Sequence, residues 1–131
     1  MRGPLLVAIA ALLAVAAFAS STGLRAPPPA PYAAVSGDPE AGRVALARRG
    51  CGACHAISGV RGAGGRVGPD LDGLRHRRFL AGRLPNTPEN LVRFIVDPQA
   101  ASPGSAMPNL DVVEAEARQM AAYLATLGGP R

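Results

Sequence analysis

Two thiols and an imidazole fall within five consecutive residues, Cys51-Gly52-Ala53-Cys54-His55, and the chain has no other cysteine. A spacing of three puts both sulfurs on one side of a helical turn, with the His55 ring beside the second. Cysteines this close cannot staple a fold, whose bridges would be spread along the sequence, so the pair serves local chemistry. C-x-x-C-H is the pattern that attaches haem: the thiols reach two vinyl groups on adjacent pyrroles, and the imidazole meets the iron. Two other chemistries use C-x-x-C. A thioredoxin-like redox pair needs a preceding strand in a βαβ setting, which this sequence does not offer. Zinc needs a fourth ligand, and His76 is the one remaining histidine. The expected cofactor is therefore one haem c, attached covalently through Cys51 and Cys54, with His55 as an iron ligand.

The first 24 residues agree with that chemistry. Leu5 to Ala19 is unbroken apolar and follows Arg2, the layout of an export signal. Ala17-Phe18-Ala19 before Ser20 suits cleavage, while the uncharged run continued to Leu24 reaches the roughly 20 residues that cross a bilayer. Residues 1–24 are read as an export signal or an N-terminal membrane anchor, with any membrane contact through 5–24. Residues 25–36, RAPPPAPYAAVS, form a semi-rigid Pro/Ala-rich linker. Residues 37–129 are the folded domain, about a hundred residues and hence one core. The expected location is the periplasm or the outer face of the cytoplasmic membrane.

Helical signals dominate the domain. Asp38-Pro39-Glu40 combines an N-cap, a proline for the first turn and an acid for the positive helix end, and the helix runs to about Arg49 before Gly50. Ala41, Val44 and Ala45, with Leu46 and Ala47 beside them, are its apolar face, and Arg48 must reach solvent or an acidic partner along its stem. Residues 59–73 are too rich in glycine for regular structure. Thr87-Pro88-Glu89 opens a second helix that ends near Val96, ahead of Asp97-Pro98, with Leu91, Phe94 and Ile95 on one face. A third, from about Val113 to Leu127, buries Ala117, Met120, Ala121 and Leu124. No alternating strand pattern of useful length is present. The fold class is all-α, three main helices plus loops around one covalently bound haem. With no Trp, three Phe and two Tyr, the core is small, and the cofactor supplies apolar mass.

The second iron ligand decides what such a haem can do. Met107 lies in Gly104-Ser105-Ala106-Met107-Pro108, a loop fixed by Pro103 and Pro108 and a poor place for a gap filler, whereas Met120 sits on a helix face and reads as core. Imidazole with thioether raises the reduction potential and leaves no open position for oxygen or peroxide. His76, among Arg75, Arg77 and Arg78, is the rival ligand. The net charge is +5, and Arg48, Arg49, Arg61, Arg66, Arg75, Arg77, Arg78 and Arg83 crowd the motif and the loops, opposed there by Asp70 and Asp72. Such a balance suits an acidic protein partner or a haem propionate. Nucleic acid is excluded, because a basic stripe would need stacking aromatics that are missing.

With Cys51 to His55, Gly68-Pro69-Asp70-Leu71 and Met107-Pro108 in order, residues 37–128 resemble a class I cytochrome c. The resemblance implies that the first and last helices cross, with Gly42 and Tyr123 as contact residues. It also implies that the Pro69 carbonyl accepts a hydrogen bond from His55 and that Leu71 packs on the haem. Leu84-Pro85-Asn86-Thr87-Pro88-Glu89-Asn90-Leu91, Asp97-Pro98-Gln99 and Pro103 to Pro108 are similar to the cytochrome c domain of subunit II of caa-type haem-copper oxidases. The copper-binding domain of that subunit is missing. Val113 stands where a Ser or Thr cap is expected, with Asp111 as the candidate replacement. The implied function is electron transfer by a mono-haem carrier with His55 and Met107 as axial ligands. It would be a monomer and not an enzyme, donating to redox protein partners, above all a haem-copper oxidase. The alternatives are an electron-accepting subunit of a periplasmic dehydrogenase, or a haem enzyme with an open iron position.

Overall fold

The computed structural model describes Tyr32 and residues 35–128; the leader 1–24 and most of the linker lie outside the described residues. Among the described residues four α-helices follow in order: α1 (Pro39–Arg48), α2 (Pro88–Val96), α3 (Pro98–Ala101) and α4 (Glu114–Thr126). Two single 3-10 turns, Cys51–Ala53 and Leu74–His76, and a two-stranded antiparallel ribbon, β1 (Phe79–Leu80) with β2 (Leu84–Pro85), lie between α1 and α2. Residues 59–73 contain neither helix nor strand, as their glycine content dictates. Among the described residues no helix is long and apolar enough to cross a membrane.

The cap chemistry works where it was expected. The Asp38 side chain accepts from the Glu40 amide, and Thr87 accepts from the Asn90 amide. Asp97 ends α2 and at once caps α3 by accepting from the Ala100 amide, so the chain does not stop at Asp97-Pro98 but begins another turn. The start of α4 departs from expectation: Val113 is the cap residue and contributes no side-chain hydrogen bond. Asp111 does not replace it; it sits at φ 53° with its own amide donating to Asn109. Glu114 and Glu116 in the first turn supply the negative charge that the exposed amides favour.

The core is the crossing of α1 with α4, joined by α2. The face α1 presents to it is Gly42, Ala45 and Leu46, while Val44, expected inside, is 49 % exposed. Close approach decides this. A Cβ on Gly42 would lie 1.9 Å from the carbonyl oxygen of Gln119, so the two backbones touch there and the helix rotates to bring its glycine to the contact. Gly42 is thus the contact residue expected of it. Tyr123 reaches the loop after the cysteine motif, where its hydroxyl donates to the Ser58 carbonyl at 2.7 Å. On α4 the expected Ala117, Met120, Ala121 and Leu124 are all buried. Tyr32, in the sequence-defined linker, is buried in the same core and its hydroxyl donates to Asn86.

Arg48 does find an acidic partner, within the chain. Arg48 and Arg49 both pair with the buried Glu116, at 2.5 and 2.6 Å, and Arg49 also donates to the Leu110 carbonyl at 3.0 Å. Hydrogen bonding from Arg49, helped by Arg48, holds the Glu116 carboxyl below the usual carboxylate range. A group whose folded pKa is depressed stabilises the fold fully above its unfolded value, near 4.5, and loses that contribution as pH falls through the lowered folded value. Glu116→Gln is therefore expected to lose about 1–2 kcal/mol at neutral pH, with the exposed arm of Arg48 contributing least. Urea midpoints at neutral and strongly acid pH check this: the deficit should shrink in acid, and an equal deficit at both would rule out charge as its source.

Candidate functional site

Helix α1 ends at Arg48 with Arg49 as its C-cap, and Gly50 at φ 71° turns the chain into the 3-10 turn that carries the cysteines. The His55 amide donates to the Cys51 carbonyl at 3.0 Å, closing a turn that sets Cys51, Cys54 and His55 together along one wall of a cleft of about 440 Å³. Cys51 and Cys54 are not joined to each other by a disulfide. His55 Nδ1 lies 2.7 Å from the Pro69 carbonyl oxygen. A carbonyl can only accept, so the proton sits on Nδ1 and Nε2 keeps its lone pair for a metal. The loop can press this close because residue 68 is glycine: a Cβ there would fall 2.3 Å from His55 Cε1.

Pro69, Leu71 and Met107 line the same cleft; His76 does not. His76 is exposed on its 3-10 turn and accepts from Arg75 at 3.1 Å. The Met107 loop is held from outside. Gln99 donates to the carbonyls of Ser105 and Met107, at 2.7 and 3.2 Å, and the Met107 amide donates to the Ser105 hydroxyl. The structure therefore brings every expected site residue to one cleft.

Several contributors were not marked as site residues by the sequence. Helices α1, α2 and α4 supply apolar walls, among them Leu46, Leu91, Ile95, Met120 and Leu124. Met120 is thus both core and cleft wall. Among the described residues Arg77 is the one cationic side chain along the lining, and it donates to the Asp70 carbonyl. Asn86 fixes the turn that bears Arg77, donating to the carbonyls of Leu74 and Arg77 at 2.7 and 2.8 Å. Only its place in the Leu84–Leu91 run marked Asn86, and nothing separated Arg77 from the arginines beside it. At the mouth, Val67 and Phe79 are 86 % and 49 % exposed.

These residues fit a haem: two thiols at one edge, an imidazole with a free Nε2, a thioether on a braced loop, apolar walls and one cation for a carboxylate. They do not fit zinc. Among the described residues no three His, Cys, Asp or Glu side chains group so as to hold a metal ion.

The Cytochrome c family model matches residues 39–128. The chain is 36 % identical over 87 residues to the cytochrome c oxidase subunit 2 of Alkalihalophilus pseudofirmus, covering 66 % of this chain and 25 % of that one. It is 33 % identical over 104 residues to the cytochrome c-type cyt cy of Rhodobacter capsulatus, covering 72 % and 52 %. It therefore spans about a quarter and about half of these curated relatives. Its structure is similar to that of cytochrome c2 from Rhodobacter sphaeroides, with a TM-score of 0.56, 27 % identity, and coverage of 73 % of this chain and all of the other. The chain belongs to the cytochrome c family, with the class I fold and a covalently bound haem c.

Proposed function

We propose that this chain is an electron-transfer protein and not an enzyme, with haem c held by thioethers to Cys51 and Cys54 and by His55 Nε2 and Met107 as axial ligands. The observation that carries this reading is the convergence of the proton-fixed His55 ring and the braced Met107 loop on one apolar cleft. When bound, the haem would supply a one-electron couple, and His55 with Met107 would fill both ligand positions and leave none open to a substrate. Pro69 orients the imidazole and fixes its tautomer. Leu71 and the helix walls exclude water, and Arg77 offers its charge to a propionate.

The partner is a redox protein, and within that class a haem-copper oxidase. The oxidase subunit named among the relatives supports this, as does the cleft mouth, where apolar Val67 and Phe79 are next in sequence to the exposed Arg66 and Arg78. Of the two opposing acids, Asp72 is buried and bound to Ser58, which leaves the surface more basic than composition suggests. The carrier works as a monomer at the periplasmic side of the membrane. Residues 1–24 deliver or anchor it, residues 25–36 link them to the domain at 37–129, and Tyr32 pins the end of that linker.

The oxidised protein should show the weak long-wavelength sulfur-to-iron charge-transfer band, and electron delivery to a haem-copper oxidase should slow steeply as salt rises. Absence of the band would favour an open iron position. A salt-indifferent rate would remove the electrostatic partner.

A further inference from the structure

Five hydrogen bonds fasten the segment that begins at Cys54 to the loop that carries Pro69. The Gly68 amide donates to the Cys54 carbonyl at 2.8 Å, His55 Nδ1 to the Pro69 carbonyl at 2.7 Å, and the Leu71 amide to the Ala56 carbonyl at 2.9 Å. The ladder closes on Asp72, whose two carboxylate oxygens accept from the Ser58 amide at 2.9 Å and the Ser58 hydroxyl at 2.5 Å. Asp72 is 4 % exposed. Its own amide donates to Asp70 at 2.8 Å, and Tyr123 of α4 holds the Ser58 carbonyl from the other side.

A buried carboxylate is costly unless it is well bonded, so its presence in a glycine-rich loop calls for a reason. Residues 59–73 have no helix or strand to hold Pro69 where it is. On the cysteine side the Pro69 carbonyl is located by the Gly68 bond. On the far side it is located by the Leu71 bond and the two-bond clamp on Ser58, which Tyr123 ties to the core. We propose that Asp72, acting through Ser58, is a positioning residue for His55: it holds the two segments in register so that the Pro69 carbonyl stays on Nδ1–H. This inference rests on the reading of His55 as an axial ligand. The strength of the bond to Nδ1–H sets the basicity of the ligating nitrogen, so the clamp also bears on the reduction potential.

The test uses the haem-loaded, nitrogen-15-labelled chain and follows solvent exchange of the His55 ring N–H by NMR, with reduction potential and melting temperature measured alongside. D72N and S58A should each speed that exchange roughly tenfold, the order expected when a local closing contact loses one net hydrogen bond. Both should move the potential in the same direction. S58A keeps the charge of Asp72 and the backbone bond, so a shift there cannot come from lost charge. S58T, which retains the hydroxyl, should behave as the parent does. E116Q serves as the control for simple destabilisation, with a lower melting temperature and unchanged exchange. Parent-like exchange in both D72N and S58A would overturn the inference, as would equal acceleration in E116Q. Should D72N fail to fold, S58A alone decides. A parent with no protected His55 ring N–H would overturn the axial reading itself, an outcome distinct from protection that the variants leave unchanged.

Discussion

A Met107→Ala protein is expected to lose the long-wavelength sulfur-to-iron band entirely and to bind added cyanide or carbon monoxide on the order of 100-fold more tightly than the parent. The estimate follows from competition. With Met107 as the proposed ligand, an external ligand would have to wait for the thioether to leave, so its apparent affinity would be reduced by the fraction of molecules in that open state; without the thioether the whole population would be competent. Bracing makes the outcome sharp. Gln99 holds the Ser105 and Met107 carbonyls, and Ser105 holds the Met107 amide, through contacts that do not use the side chain being removed. The loop should therefore keep its path, and helical circular dichroism should be unchanged. The reduction potential should fall, since thioether ligation is what raises it. His76→Ala is the companion experiment. His76 is exposed and away from the cleft, so its loss should leave the band in place. Reversal of the two results would assign the iron to His76.

Much of this site was legible because its chemistry is local. Cys51, Cys54 and His55 are fixed by one turn, and Thr87-Pro88-Glu89 and Asp38-Pro39-Glu40 declare helix starts through contacts two or three residues long. The prolines beside Met107 marked it as a loop residue and the helical spacing of Met120 marked it as core, and both line the cleft. Features made at long range were hidden. Arg77 faces the cleft because Asn86, nine residues on, holds its turn, and nothing within the arginine-rich run distinguishes it. Tyr32 looked like linker because its partner is 54 residues away. β1 and β2 are two residues each, too short to express a period, and Asp97 is at once the C-cap of α2 and the N-cap of α3. On α1 Ala45 and Leu46 are buried as expected, and the misplacement of Val44 has a related reason. Counting apolar side chains favours Val44 and gives glycine no weight, yet the tightest contact of the helix is made where there is no side chain.

That contact makes Gly42→Ala a test with opposed signs. Within an isolated helix the change should stabilise by about 1 kcal/mol, because alanine loses less backbone freedom than glycine. Here the new Cβ would sit 1.9 Å from the Gln119 carbonyl oxygen and 2.5 Å from its carbon. Both are backbone atoms of α4, so no side chain can rotate away, and relief requires the helices to part along the crossing that contains Ala117, Met120 and Ala121. Overpacking of this kind costs about 1–3 kcal/mol and reaches the upper end or beyond when backbone must move. The variant is expected to be about 2–3 kcal/mol less stable, a fall of roughly 10–20 °C in melting temperature for a domain of this size. Urea unfolding should show a lower midpoint at an unchanged slope, the sign of lost stability in an intact two-state fold. Met120 and Leu124 belong both to this crossing and to the cleft wall, so parting the helices also moves the wall against which the haem packs. A weakened sulfur-to-iron band should therefore accompany the lower midpoint. A rise in stability would mean that helix propensity outweighs the crossing, and that α1 and α4 do not meet backbone to backbone at Gly42.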